Sequence, residues 1–97
     1  MPSSIAYVAT DAAPRYAKQL ASHLGRKIQA EELPDGGYRL TFPGRGEGLL
    51  TPEADRLVMR ATADDEESLG AVQDVLGRHL ERFGQRNQLT VTWEGSR

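Results

Sequence analysis

A long segment near the C-terminus, whose apolar residues recur every three or four positions on one side only, constrains the fold more than any other feature. The stripe consists of Leu69, Val72, Leu76, Leu80 and Phe83. This spacing predicts an amphipathic helix, which Asp64 and Glu67 would begin as a capping box and Gly84 would end in a left-handed cap. Because such a helix gains most of its stability from packing its apolar stripe, the rest of the chain must supply an apolar surface for it.

A second helix with one apolar stripe is predicted nearer the N-terminus. Pro14 fits only the first turn of this helix, where its missing N–H is no loss. Asp11 or Ala13 is therefore the expected N-cap, and Gly25 is the expected end. The buried stripe would consist of Tyr16, Ala17, Leu20 and Leu24.

Segments in which larger apolar residues alternate with smaller or polar residues predict the strands that supply the apolar surface. Ile5, Tyr7 and Ala9 alternate with smaller residues, and the turn sequence at 34–37, with one proline and two glycines, predicts a hairpin. The predicted strands cover residues 5–9, 28–33, 38–42, 47–51, 56–63 and 89–94. The predicted order of elements is therefore β-α-β-β-(β)-β-α-β.

These elements predict one α+β domain that spans residues 1–97, because a chain of 97 residues can form one hydrophobic core. Helices with one apolar stripe and strands with one apolar face pack most economically as two helices on one face of a mostly antiparallel sheet. Two layouts remain open: a ferredoxin-like arrangement, and a TATA-binding-protein-like arrangement of a helix, a four-stranded meander and a second helix.

The other face of the predicted sheet would be open to solvent or to a partner. It would carry Gln29, Glu31, Arg39, Thr41, Val58, Arg60, Thr62, Thr90, Thr92 and Glu94. We expect no aromatic rings there, because the aromatic residues of the later strands share the alternation of the core residues. The mixed charges suit either a solvated surface or a homodimer interface, for which Arg39, Val58 and Arg60 are the candidates. An edge strand is the other route to a homodimer.

Composition excludes several classes of protein. The longest unbroken apolar run is five residues, far below the ~18 that a membrane-spanning helix needs. The net charge of −2 and the pI of about 5.6 disfavour a nucleic-acid partner, because basic residues that neutralise phosphates supply most of such binding. With no cysteine and no signal peptide in the opening residues, we expect a cytoplasmic protein.

The two histidines, His23 and His79, are the first candidates for chemistry, because histidine is the commonest metal ligand and titrates nearest neutral pH. Each falls in the C-terminal half of its predicted helix. Antiparallel helices would hold them about 15 Å or more apart, at opposite ends of the helical layer. We therefore predict no metal site, and we expect each histidine at the edge of the core with one hydrogen bond. No other motif indicates a nucleophile, a catalytic residue or a cofactor.

Several segments together match a known sequence pattern. They are Arg15-Tyr16, Gln19-Leu20 with His23 and Lys27, Gln73-Asp74-Val75, His79-Leu80-Glu81-Arg82-Phe83, and the stretch from Leu89 to Trp93. Through them the chain resembles the bacterial domain-of-unknown-function family 2218 over nearly its whole length. Ala21 and the loop at 47–48 stand where that family often has cysteine. Leu24 replaces a frequent phenylalanine, and Arg26 replaces a frequent second histidine.

The resemblance implies a small bacterial α+β domain with no established activity. It singles out six ligand-binding candidates: Arg15, Tyr16, His23, Lys27, His79 and Arg82. The missing cysteines weaken a metal or redox role, because the softer ligands are the ones replaced. Members of the family occur beside, or fused to, siderophore-interacting flavin reductases. This association implies a context of iron uptake, with such a reductase as a partner.

Two hypotheses for the function follow. The first is a non-enzymatic binding or accessory domain, connected with iron or siderophore handling. The second is a small metal-binding or enzymatic domain that uses His23 and His79. The position of the two histidines separates the hypotheses, because rings within about 6 Å of each other in one cleft would favour the second.

Overall fold

The computed structural model describes residues 2–85 and 89–96, which form six strands and two helices. The elements in chain order are β1 (Ser3–Ala9), α1 (Ala13–Leu24), β2 (Gln29–Glu32), β3 (Tyr38–Phe42), β4 (Gly46–Pro52), β5 (Arg56–Ala63), α2 (Glu66–Phe83) and β6 (Trp93–Ser96). Neither helix is both long enough and apolar enough to cross a membrane, within the described part of the chain.

The strands form one antiparallel sheet in the order β2-β3-β4-β5-β1-β6. Strands β2 to β5 follow one another as a meander between α1 and α2, so the structure adopts the second of the two predicted layouts. Both helices contact β4, β5 and each other, and their apolar stripes join the inner sheet residues in one core. The α+β prediction is therefore confirmed.

The hairpin between β2 and β3 is also confirmed, and local chemistry explains its turn. The backbone N–H of Leu33 donates to the carbonyl of Gly37 at 2.8 Å, and Asp35 Oδ1 accepts from the N–H of Gly37 at 2.9 Å. Gly36 has a φ of 86°, a left-handed conformation that glycine adopts without steric cost. The proline, aspartate and glycines at 34–37 thus each match a turn requirement.

The first strand places its side chains on faces that its sequence did not indicate. Its larger alternating residues are Ile5 and Tyr7, and large apolar side chains are more often buried than exposed. Instead Ala6 and Val8 are buried, because their register pairs them with the buried residues of β5. Ile5 and Tyr7 consequently lie on the open face of the sheet.

The ends of the helices differ in detail from the predicted caps. The N-cap of α1 is Ala12, and its N–H donates to Thr10 Oγ1 at 3.1 Å. The N-cap of α2 is Asp65, whose Oδ1 accepts from the N–H of Ser68 at 2.7 Å. This hydrogen bond lowers the pKa of Asp65 below its usual range. Gly84 ends α2 with a φ of −96°, so the predicted left-handed cap was wrong.

The last predicted strand is shorter than its alternation suggested. Residues 89–92 lie outside the sheet, and β6 begins only at Trp93. The backbone N–H of Val91 donates to Glu81 Oε2 of α2 at 3.0 Å instead of to a neighbouring strand. This segment packs against α2 near Gly77, where a Cβ would make ordinary van der Waals contacts, 3.6 Å from Val91 Cγ1 and 3.5 Å from Trp93 Nε1. Thr90 and Thr92 are exposed, but they are not part of the open sheet face.

Candidate functional site

A cleft of about 410 Å³ opens beside the end of α1 and the C-terminal half of α2. We call it the histidine cleft, and its lining consists of His23, Leu24, Arg26, Lys27, Ile28, Phe42, Val75 and His79. Leu24 and Phe42 are buried, while Ile28 and Val75 are half-buried, so the inner wall is apolar. The N–H groups of Lys27 and Ile28 both donate to the carbonyl of Leu24 at 3.0 Å, which turns the chain after α1 back towards the cleft.

The two histidines lie side by side in this cleft, contrary to the sequence prediction. The ring centroids of His23 and His79 are 5.1 Å apart, and the rings are inclined by 46°. Phe83 packs edge-on against His23 at 5.5 Å. The predicted separation assumed that the two helices are antiparallel. In fact α1 contacts β2, β3, β4 and β5, so it crosses the sheet and that assumption fails.

A hydrogen bond fixes the orientation of one histidine ring. Nδ1 of His79 donates to the carbonyl oxygen of Val75 at 2.7 Å. The proton therefore lies on Nδ1, which leaves Nε2 to accept a hydrogen bond or to bind a metal ion when the ring is neutral. His79 is half-buried and has its one hydrogen bond, as predicted. His23 is exposed and has no hydrogen bond to another described residue, so that part of the prediction was wrong.

Basic side chains surround the histidine cleft. Arg26 and Lys27 line it, and Arg78 and Arg82 line an adjoining groove of about 230 Å³ that shares His79 with it. All four basic residues are exposed. Among the described residues that line either cavity, none carries a carboxylate. Because charges of one sign raise the local concentration of their counter-ions, this region favours an anion over a cation.

The cleft has fewer metal ligands than basic side chains. Within residues 2–85 and 89–96, no three His, Cys, Asp or Glu side chains come close enough together to hold a metal ion. Zinc sites in proteins usually have three or four protein ligands, and the two imidazoles would supply two. The cleft therefore offers more donors for an anion than ligands for a metal.

The structure brings four of the six predicted ligand-binding residues together. The cleft and its adjoining groove contain His23, Lys27, His79 and Arg82. The other two lie elsewhere, because Tyr16 is buried in the core and Arg15 places its guanidinium 5.5 Å from the centre of the Tyr16 ring. Neither Arg15 nor Tyr16 lines the histidine cleft.

Several cleft residues escaped the sequence analysis. Arg26 departs from the family pattern, but the basic pair Arg26-Lys27 directly after a helix is a visible signal in the sequence. Arg78 precedes Arg82 by four positions, which places both on one helical face, so this pair could also have been found. Phe42 comes from a strand that is distant in sequence, and no local pattern indicates its place in the cleft.

The open face of the sheet carries a second, smaller cavity of about 270 Å³. We call it the sheet-face groove, and it is lined by Ile5, Tyr7, Leu49, Thr51, Glu53, Arg56, Val58 and Arg60. Tyr7 is 44% exposed, with the guanidinium of Arg56 4.4 Å from the centre of its ring, so the expectation of no aromatic ring on this face was wrong. Of the three interface candidates, Val58 and Arg60 line the groove, and Arg39 lies on the same face on β3.

Comparisons with known proteins agree with the fold described above. A family model described as "Uncharacterized protein conserved in bacteria (DUF2218)" matches residues 5–94. The NMR structure of PA4090 from Pseudomonas aeruginosa is similar, with a TM-score of 0.80 and 31% sequence identity over 97% of this chain and 96% of that chain. A comparison with curated proteins finds no match. The chain therefore belongs to this uncharacterised bacterial family.

Proposed function

We propose that the protein is a non-enzymatic binding domain, whose histidine cleft takes a small organic anion with an apolar body. One observation carries this proposal: an apolar inner wall lies beside two imidazoles and four basic side chains, with no carboxylate among the described lining residues. The proposal keeps the first of the two hypotheses from the sequence, although the 5.1 Å between the rings of His23 and His79 meets the criterion that favours the second. We rank the first hypothesis higher because basic side chains surround the cleft.

Size and polarity both suit such a ligand. A volume of about 410 Å³ lies within the range of small-molecule pockets, which are mostly apolar with a few convergent polar groups. Leu24, Ile28 and Phe42 would contact the apolar body of the ligand, and each methylene that they bury contributes about 0.8 kcal/mol. The charged group of the ligand would accept hydrogen bonds from Arg26 and Lys27, since charge-assisted hydrogen bonds are the stronger ones.

The groups at the cleft favour binding over catalysis. Imidazole, guanidinium and ammonium groups can orient and neutralise an anion, whereas covalent catalysis needs a nucleophile held by an activating base. The lining supplies imidazoles as bases, but its described residues offer neither a hydroxyl nor a carboxylate beside them. A reaction at this site would therefore depend on a nucleophile from the ligand or from solvent.

Titration calorimetry with matched probes tests the proposal. Benzoate and phenyl phosphate should bind, while benzylamine, which has a similar ring but a positive charge, and inorganic phosphate, which has no apolar body, should bind far more weakly. Replacing Arg26 and Lys27 together by glutamine should weaken benzoate binding about tenfold or more, because the change removes two charge-assisted contacts. A tenfold loss of affinity corresponds to about 1.4 kcal/mol. Lys18→Gln, an exposed change on α1, is the matched control and should leave affinity unchanged.

Two results would contradict this proposal. Equal binding of benzylamine and benzoate would show that charge does not select the ligand, and equal losses for Lys18→Gln and the double variant would place the effect outside the cleft. The connection with iron or siderophore handling stays a prediction. Adding 2,3-dihydroxybenzoate, an anionic catechol, to the same titration tests it, because tighter binding than benzoate is expected if the ligand is of that kind. The flavin reductase partner also stays a prediction.

A second candidate function is a metal site at the two histidines, and a specific observation favours it. Two imidazoles bound to one tetrahedral zinc ion, at Zn–N distances of about 2.0–2.1 Å, have ring centres roughly 5 Å apart, close to the 5.1 Å between His23 and His79. The hydrogen bond from Nδ1 of His79 to a backbone carbonyl is also typical of metal-binding histidines. The surrounding positive charge opposes a cation, which is why we rank this function second.

Zinc titration decides between the two functions. We expect no tight one-to-one binding of Zn²⁺ in buffers without chelators, because the cleft lacks a third ligand among the described residues and is surrounded by basic groups. One-to-one binding that is lost in both His23→Ala and His79→Ala, but not in Lys18→Gln, would replace the anion proposal by a metal site.

A further inference from the structure

Charges on the open face of the sheet are arranged in one row that crosses all six strands. In register from β2 to β6, the row consists of Glu31, Arg39, Leu49, Arg60, Ile5 and Glu94. Glu31 and Arg39 form an ion pair at 3.4 Å. Arg60 and Glu94 are exposed and have no ion pair with any residue that the structure describes. They stand on either side of Ile5, with their strands about 10 Å apart at the usual spacing.

An apolar strip separates these two unpaired charges. Ile5 lies directly between them, and Tyr7 follows on the same face of β1 with 44% of its surface exposed. Arg56, the other arginine of the sheet-face groove, already binds Glu53 at 2.6 Å and lies over the Tyr7 ring. The face therefore presents an apolar centre along β1, with an unpaired positive charge on one side and an unpaired negative charge on the other.

We propose that this face binds a second copy of the chain about a two-fold axis that runs along β1. Such an axis places β5 of one copy opposite β6 of the other, so Arg60 of each copy faces Glu94 of the second copy. Ile5 and Tyr7 of the two copies meet at the axis, in the aligned face-to-face packing of two sheets. A two-fold contact requires a surface that is complementary to itself, and this order of charges satisfies that requirement.

Light scattering on the full chain tests the assembly and its ion pairs. The mass should rise from 10.7 kDa towards twice that value between micromolar and millimolar concentration. Arg60→Glu should remove this rise, because it opposes two negative charges, and adding Glu94→Arg to the same chain should restore it with the charges exchanged. Lys18→Glu on the exposed side of α1 is the matched control and should leave the mass unchanged. Circular dichroism identifies any variant that fails to fold.

Cross-linking tests the position of the axis independently. The chain has no cysteine, so Ile5→Cys introduces a single thiol at the proposed axis. A short bismaleimide should then link two copies efficiently, whereas Lys18→Cys, on the helical side, should give little dimer at the same concentration.

Four outcomes would overturn the proposal. A mass that stays at 10.7 kDa over the whole range rejects the homodimer, and a dimer that Arg60→Glu leaves intact rejects this face as the interface. A double variant that does not recover the dimer rejects the Arg60–Glu94 pairing. Equal cross-linking at positions 5 and 18 rejects the axis along β1.

Discussion

Replacing Leu76 by alanine should lower the free energy of unfolding by about 2–5 kcal/mol. Leu76 has no exposed surface and lies at the centre of the apolar stripe of α2. Its Cδ1 atom lies 2.8 Å from where a Cβ would stand on Gly48, so the side chain fits directly against the backbone of β4. Alanine would leave a cavity there, because a strand within a paired sheet cannot move inwards to fill it.

Urea denaturation followed by circular dichroism measures this loss. Leu33→Ala is the matched control, because Leu33 is only half-buried beside the β2–β3 turn and should cost clearly less. The sequence pattern predicts the same loss for Phe83→Ala as for Leu76→Ala. Phe83 is half-buried, however, so we expect a smaller loss for it. A change below about 0.5 kcal/mol for Leu76→Ala, which is typical of surface positions, would contradict the packing described for α2.

Replacing Gly46 by alanine should lower the free energy of unfolding by about 1–3 kcal/mol, through overcrowding instead of a cavity. A Cβ at Gly46 would lie 2.1 Å from the carbonyl oxygen of Thr62 and 2.9 Å from the Cα of Ala63. Both atoms belong to the backbone of β5, which pairs with β4 at this point. The strands would have to separate locally, because no side-chain rotation can relieve contacts with backbone atoms.

Gly70→Ala is the matched control for this change and should have the opposite sign. A Cβ at Gly70 meets nothing within 4 Å, and the residue lies within α2. Alanine is favoured over glycine in a helix by up to about 1 kcal/mol, so this variant should be more stable than the natural chain. Thermal unfolding of both variants measures the difference. Equal melting temperatures for the two variants would show that strands β4 and β5 are not packed as described.

The elements that could be predicted from the sequence are those whose pattern is local and unambiguous. Strand β5, Arg56–Ala63, matches its predicted bounds, because buried and exposed residues alternate along its whole length. The apolar stripes of both helices are likewise buried as expected, apart from the half-buried Phe83. In each case the apolar residues repeat along the sequence with the side-chain period of a strand or of a helix.

The candidate site could be predicted only in part. Histidine chemistry indicates His23 and His79, and the family resemblance adds Lys27 and Arg82. The structure brings these four residues together. Their proximity could not be derived from the sequence, because it depends on how α1 crosses the sheet. The apolar wall from Phe42 depends on the same packing.

The sequence by itself determined the number and type of elements, the α+β class and the apolar stripe of each helix, because local spacing and turn chemistry are enough for these. Tertiary structure decided which face of β1 is buried, where β6 begins, and that His23 and His79 lie 5.1 Å apart. The physical reason is that these features depend on register and on crossing geometry between distant segments. The pairing of Ala6 with Met59 and Val8 with Leu57 outweighs the local preference of the larger side chains Ile5 and Tyr7 for the core.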